Sequence, residues 1–341
     1  MPEEFQNIIV RMPNWLGDAV MATPVITDLR NQWPKATITA MCQAGVATLL
    51  RGNPHLNEIF SFSKPNEFLH RQQRRNLIAR LRQGKYDLGI LLPNSFSSAW
   101  WFWRGGVRTR VGFASDGRSF LMTHAPAFPP ERGQEHLVRT YKRLLEPLGI
   151  PASNTPPRLY VTESERSAAK AIFRQHQIPE GASIVGINPG AAFGSAKCWL
   201  PERFREVIAH LATRPNTYVV CFADAAGADL VHGICQGMPS QVIDLAAATS
   251  LRELIALIEQ CTVFLTNDSG PMHIAAALKT PLVALFGSTN DIATGPYGHG
   301  EIIHKHVECS PCYRRICPID FRCMTRITSD EVYATLMHYL P

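Results

Sequence analysis

No apolar run in the chain is long enough to cross a bilayer, and its start, Met1-Pro2-Glu3-Glu4-Phe5, has neither the basic nor the apolar region of a secretory leader. The expectation is a protein that stays in the cytoplasm. A phosphate-loop consensus is missing too. Gly190 and Gly194 are followed by Lys197 two positions beyond Ser195, which does not fit G-x-x-x-x-G-K-[ST]. The basic residues come with no RNA-recognition signature and no base-stacking platform, which argues against a nucleic-acid module. With 45% hydrophobic and 18% charged residues, the composition excludes a disordered chain.

What is present points to an α/β protein. A length of 341 residues exceeds what one core usually holds, so two domains are expected. Strand-like runs at Ile8–Met12, Ala36–Met41, Ile59–Phe62, Leu88–Leu92 and Arg110–Phe113 alternate with helical segments around Val20–Trp33 and Phe68–Gln83. The alternation resumes at Ser183–Ile187, Tyr218–Phe222, Val242–Asp244, Val263–Thr266 and Leu282–Leu285. This predicts two doubly wound parallel sheets, residues 1–157 and 158–341, divided by the Pro-rich linker Ile150–Pro157. Ligands of such sheets sit at the strands' carboxyl ends, so two facing sheets would enclose a cleft. A last helix is expected over Ser329–Tyr339, capped by Ser329.

The chemistry concentrates in loops that follow strands. Asn267-Asp268-Ser269-Gly270-Pro271-Met272-His273 reads as a strand end, a tight turn and a helix start, with Ser269 as N-cap and Pro271 in the first turn. Free N–H groups at such a start attract phosphate, and Asp268 could grip sugar hydroxyls beside it. The loop Asn188–Trp199 brings Lys197, suited either to neutralising a diphosphate or to a solvated surface position. Near the N-terminus, Met12–Val20 carries Gly17 and Asp18, the latter a helix cap or a general base. Leu92–Ala99 offers Asn94 and Ser95.

Charge is uneven. Residues 1–158 hold 20 Lys and Arg against 11 Asp and Glu, and the remainder 14 against 17. The basic half suits an anionic partner such as a membrane surface, or else the wet face of a helix bearing Arg71, Arg74, Arg75, Arg80 and Arg82. The run Trp100–Arg104 suits a membrane interface or a core. Five of the nine cysteines are dispersed, whereas Cys309, Cys312, Cys317 and Cys323 are spaced like a small structural zinc site, with disulfides or free thiols as alternatives.

Four blocks, W-L-G-D at 15–18, L-P-N-S-F-S-S-A at 92–99, P-G-A-A-F-G-S-A-K-C-W at 189–199 and N-D-S-G-P-M-H-I-A-A-A-L at 267–278, together resemble the ADP-heptose:lipopolysaccharide heptosyltransferases. The second and fourth are closest to the type II enzymes. The resemblance implies a GT-B fold and metal-independent, inverting transfer of L-glycero-D-manno-heptose from ADP-heptose to the first heptose of the Kdo-lipid A inner core, at the inner face of the inner membrane. It implies Asp18 as the catalytic base and Lys197 at the diphosphate. It assigns Gly17, Asp268, Ser269, Gly270 and His273 to donor binding, and Asp229, where the family commonly has Glu, to the adenosine ribose. Asn94 and Ser95 are assigned to the acceptor, and no metal is required for catalysis. The competing readings are a type I enzyme acting on Kdo2-lipid A, a sugar-nucleotide epimerase and a binding module.

Overall fold

The computed structural model describes residues 4–63, 71–129 and 133–341, which fall into two compact units, Met1–Tyr160 and Val161–Pro341. In the first unit, strands β1 (Asn7–Arg11), β2 (Thr37–Cys42), β3 (Glu58–Ser61), β4 (Leu88–Leu91) and β5 (Thr109–Val111) form a parallel sheet in the order β3-β2-β1-β4-β5. In the second, β6 (Ser183–Asn188), β7 (Thr217–Cys221), β8 (Val242–Asp244), β9 (Val263–Asn267), β10 (Leu282–Phe286) and β11 (Glu301–His304) run parallel in the order β11-β10-β9-β6-β7-β8. The central strands are apolar runs buried on both faces, as helices on either side of a parallel sheet require. The predicted start of the second helix at Phe68 lies outside the described residues, and the helix runs Arg71–Gln83 with its arginines exposed around a buried Leu77, Ile78 and Leu81.

Both sheets reverse direction at one point. The chain leaves β1 for one edge and returns to β4 on the other side, just as it leaves β6 and returns to β9. Register sets Arg11 beside Leu91 and Asn188 beside Thr266, so the loops after these strands emerge side by side. A crevice opens at such a reversal because the two flanking crossovers diverge to opposite faces of the sheet.

Several local expectations need correction. The helix expected over Val20–Trp33 is two helices, Leu16–Met21 and Thr23–Gln32. Pro24 has no N–H to give the Val20 carbonyl, and the Thr23 hydroxyl takes it instead at 2.8 Å. The last helix is Ser329–Met337, capped by Thr328, whose Oγ1 accepts from the Glu331 N–H, while Ser329 donates to Glu206. The segment Ile150–Pro157 is no free linker. Buried Lys142 donates to the carbonyls of Ser153 and Thr155 at 2.8 and 2.7 Å, and both hydroxyls donate to buried Asp28.

Candidate active site

In the first unit, two buried arginines shape the loops at the reversal. Arg11, the last residue of β1, donates to the Met12 carbonyl and, at 2.6 Å, to Asn14 Oδ1, with its guanidinium 4.7 Å from the Phe62 ring. Arg118, fully buried, donates to the carbonyls of Pro93 (2.5 Å), Phe113 and Ser95 (3.2 Å each) and to Asn94 Oδ1 (3.3 Å). Burial lowers both guanidinium pKa values to about 10, partly offset by Cys42 at Arg11 and by Asp116 at Arg118, so both remain charged at neutral pH. A planar fork of donors meets several carbonyls at once, which a lysine could not do.

The loops held this way wall a hollow of about 240 Å³ lined by Asn14, Trp15, Asp18, Asn94, Phe128, Thr140 and Tyr141 among others. Asp18, in the first turn of helix Leu16–Met21, is half-buried, and Gly17 precedes it in the same turn. The Tyr141 phenol is pushed well above its ordinary range by burial and then by the Asp18 charge, so it stays protonated and can donate. Asn94 lines the hollow. Ser95 instead faces Ser98, with the two hydroxyls 2.8 Å apart. A larger hollow of about 360 Å³ shares Phe113 and Phe128, but its polar wall is the Glu135–Arg143 ion pair and it reaches neither loop.

In the second unit the loop after β6 is pinned at both ends by one buried amide. Asn267 Nδ2 donates to the Pro189 carbonyl at 2.6 Å, and its Oδ1 accepts from the Trp199 N–H at 3.0 Å. Lys197, in the short turn Ser195–Lys197, is therefore delivered to Asp268, with Nζ 2.5 Å from Oδ2. The same oxygen accepts from Thr289 Oγ1 at 2.5 Å. Lys197 is mostly buried, not a solvated surface lysine, and its ammonium lies 5.1 Å from the Phe193 ring. Helix Gly270–Leu278 begins two residues after Asp268. Ser269 occupies the N-cap position without capping. Its hydroxyl pairs with Thr266 Oγ1 at 3.0 Å, which leaves the first-turn N–H groups without a side-chain cap. His273 is buried one turn inside the helix. Asp229 is exposed in the first turn of helix Ala228–Cys235, apart from the Lys197–Asp268 group.

The cysteine-rich segment buttresses this region. The Arg315 carbonyl accepts from the Ala196 N–H at 3.0 Å and lies so close to Gly194 that a side chain there would clash at 2.4 Å. The Ser288 carbonyl accepts from the N–H groups of Cys312 and Tyr313, so one segment braces both the lysine loop and the turn carrying Thr289. The four thiols are free, and burial followed by the nearby Cys309, Cys317 and Cys312 pushes the Cys323 thiol up. The other three thiols are thus near enough to Cys323 to act on it, and no disulfide joins any of the four. Arg11, Arg118, Tyr141, Thr289 and Arg315 carry no local sequence signal, and only packing reveals them.

Comparison with known proteins agrees with this architecture. The family model described as glycosyltransferase family 9 (heptosyltransferase) matches residues 74–321. Lipopolysaccharide heptosyltransferase 2 of Escherichia coli is 32% identical over 304 residues, 86% of each chain. Lipooligosaccharide heptosyltransferase 2 of Haemophilus influenzae is 29% identical over 310 residues, 89% of each. The solved structure of E. coli ADP-heptose LPS heptosyltransferase II matches with a TM-score of 0.83 at 29% identity, covering 98% of both chains. A family 9 glycosyl transferase from Veillonella parvula shares the fold at a TM-score of 0.87 and 24% identity, covering 100% of this chain and 98% of its own. Two parallel-sheet domains of GT-B type, the family match across most of the chain and relatives at this identity lead to one conclusion: this chain belongs to glycosyltransferase family 9, the heptosyltransferases, and is a glycosyltransferase of lipopolysaccharide core synthesis.

Proposed function

We propose that the chain transfers L-glycero-D-manno-heptose from ADP-heptose to the first heptose of the inner core, with inversion at the anomeric carbon. The observation that carries this reading is the buried Asp268, which gathers Lys197 and Thr289 beside the start of helix Gly270–Leu278. A cation, a hydroxyl and a helix start with uncapped N–H groups together suit a sugar diphosphate. Lys197 neutralises the charge that builds as the anomeric C–O bond to the diphosphate breaks. Gly270 lets the phosphates approach the backbone, Ser269 and Asp268 face the sugar hydroxyls, and His273 supports the helix start. Asp229 at the ribose is the weakest of these assignments, because its side chain is exposed in the first turn of its helix.

In the first unit Asp18 takes the proton from the attacking heptose hydroxyl, with Gly17 keeping the approach open. The hydroxyl oxygen bonds to the anomeric carbon from the face opposite the diphosphate, and ADP leaves. Asn94 and Tyr141 orient the acceptor, with Ser95 at the rim. The acceptor is heptosyl-Kdo2-lipid A, so the enzyme works as a peripheral protein on the cytoplasmic face of the inner membrane. No helix among the described residues is long and apolar enough to cross a membrane. Zinc on Cys309, Cys312, Cys317 and Cys323 would be structural and plays no part in the reaction.

The test is mass spectrometry of core acceptors carrying zero or one heptose after incubation with ADP-heptose. Transfer only to the one-heptose acceptor is expected, because buried polar groups left unpaired by the shorter acceptor penalise it strongly. Efficient transfer to the heptose-free acceptor would make the chain a type I enzyme. Conversion of ADP-heptose without any acceptor would make it an epimerase.

A further inference from the structure

Beyond the donor region, at the edge of the second sheet, three side chains converge that the reaction does not use. His304 ends β11, His306 follows two residues later, and Asp291 opens helix Asp291–Thr294. His304 Nδ1 lies 3.1 Å from Asp291 Oδ1, His306 Nε2 lies 3.6 Å from Asp291 Oδ2, and one donor atom from each of the three residues falls within 4.8 Å of the other two.

Hydrogen bonding fixes which nitrogen of His304 carries the proton. Ser310 Oγ donates its only proton to the Gly287 carbonyl at 2.5 Å, so toward His304 Nε2, 2.9 Å away, it can only accept. The proton of a neutral His304 is thus on Nε2, and Nδ1 presents a lone pair. That nitrogen has no hydrogen-bond partner, although the side chain is only 2% exposed and a carboxylate oxygen stands 3.1 Å away. Two acceptors facing each other in a buried place repel unless a cation lies between them. A proton on Nδ1 would pair it with Asp291 Oδ1 at 3.1 Å but would leave His306, 3.6 Å from the other carboxylate oxygen, outside the pair. A metal ion resolves the conflict. Ligands about 2.1 Å from a tetrahedral ion stand about 3.4 Å apart, between the two separations observed.

We propose that Asp291, His304 and His306 bind a divalent first-row transition metal. Two imidazoles with one carboxylate suit zinc, cobalt or iron(II) and not magnesium or calcium, which prefer all-oxygen shells. Three protein ligands leave a position for water. The ion would staple the start of helix Asp291–Thr294 to the end of β11, and the staple begins two residues after Thr289, the partner of Asp268. The site is distinct from the cysteine segment in donor chemistry, so the two can be told apart.

Cobalt(II) chloride titrated into chelator-treated full-length protein is the test. The wild type should bind one equivalent with visible d–d absorption and no thiolate charge-transfer band, and zinc should displace it. His306→Asn is the main variant, because position 306 is exposed with a φ of +43° that asparagine tolerates, so the fold is retained. It should weaken this equivalent by about 10- to 100-fold or more, as should Asp291→Asn, while Cys312→Ser leaves it unchanged. A zinc-dependent rise in Tm should vanish in the same two variants. Equal cobalt affinity in wild type and His306→Asn, or a wild type that binds only thiolate-coordinated cobalt, would overturn the proposal.

Discussion

Asp268 Oδ2 receives two short contacts, from an ammonium and a hydroxyl, in a place only 3% exposed. Removing the cation leaves a buried carboxylate with one neutral donor, a loss of roughly 2–4 kcal/mol. Lys197→Ala should therefore lower Tm and weaken ADP binding, while adding Asp268→Asn should restore much of the Tm without restoring ADP affinity. Recovery of both together would mean that Lys197 acts only as a structural partner of Asp268. Asp18 is different, because in the proposed reaction its chemistry is needed in the transition state and not for holding the donor. Asp18→Asn should reduce kcat by roughly 10²- to 10⁴-fold with ADP-heptose affinity nearly unchanged. Calorimetry beside single-turnover kinetics separates the two effects, and a parallel loss of binding and turnover would assign Asp18 to a cap.

Between elements, one carboxylate joins two helices and caps one of them. Glu165 accepts from the Thr162 N–H at 2.8 Å at the start of helix Glu163–Gln175, and from Arg252 of helix Leu251–Glu259 at 2.7 and 2.6 Å. The Arg252 hydrogen bonds, helped by Thr162 and opposed by burial, hold its pKa at about 2. A pKa depressed in the folded state gives stability that is complete above the ordinary carboxylate value of 4.5 and is lost as pH falls through about 2. Glu165→Gln should cost about 1–2 kcal/mol at neutral pH, less than the displacement alone implies because the pair is partly wetted. Urea melts at pH 7 and pH 3 should show the gap between variant and wild type narrowing in acid. A gap independent of pH would show that the loss is one of shape, not charge.

This level also shows what a sequence can reveal. Central strands such as Val263–Asn267 and Leu282–Phe286 are legible because burial on both faces makes them unbroken apolar runs. Strand β11 is not, because its Glu301 and His304 interrupt a short edge strand. The four candidate loops are legible because glycine, proline and small polar residues follow strand ends, and each lies beside a reversal of strand order. The groups that hold those loops are not. Arg118 lies 23 to 25 residues from the carbonyls of Pro93 and Ser95 that it binds, and Thr289 lies 21 from Asp268, so no local pattern joins them.

At the scale of the whole molecule, the surface of the first unit combines positive charge with aromatic edges. The aromatic run expected either at an interface or in a core is divided: Trp101 and Phe102 of helix Phe96–Arg104 are buried, while Trp103 and Phe96 are 47% and 43% exposed. Phe120, 75% exposed, stands 6.2 Å from Phe96, ring to ring. Arg104 lies near the rings of Trp100 and Trp103, and its carbonyl accepts from Arg82 Nε, which joins this helix to the arginine-rich helix Arg71–Gln83. Exposed aromatic rings settle at the headgroup level, and each arginine near an anionic leaflet adds about 1 kcal/mol, screened by salt. The protein should therefore sediment with phosphatidylglycerol vesicles and not with phosphatidylcholine vesicles, and increasingly less as salt is raised. Trp103→Ala and Arg82→Glu should each weaken that sedimentation, yet leave turnover of a delipidated, soluble acceptor unchanged, since neither residue lines the hollow that holds Asp18. Equal binding to both vesicle types, or binding indifferent to Trp103 and Arg82, would move the membrane contact to another face.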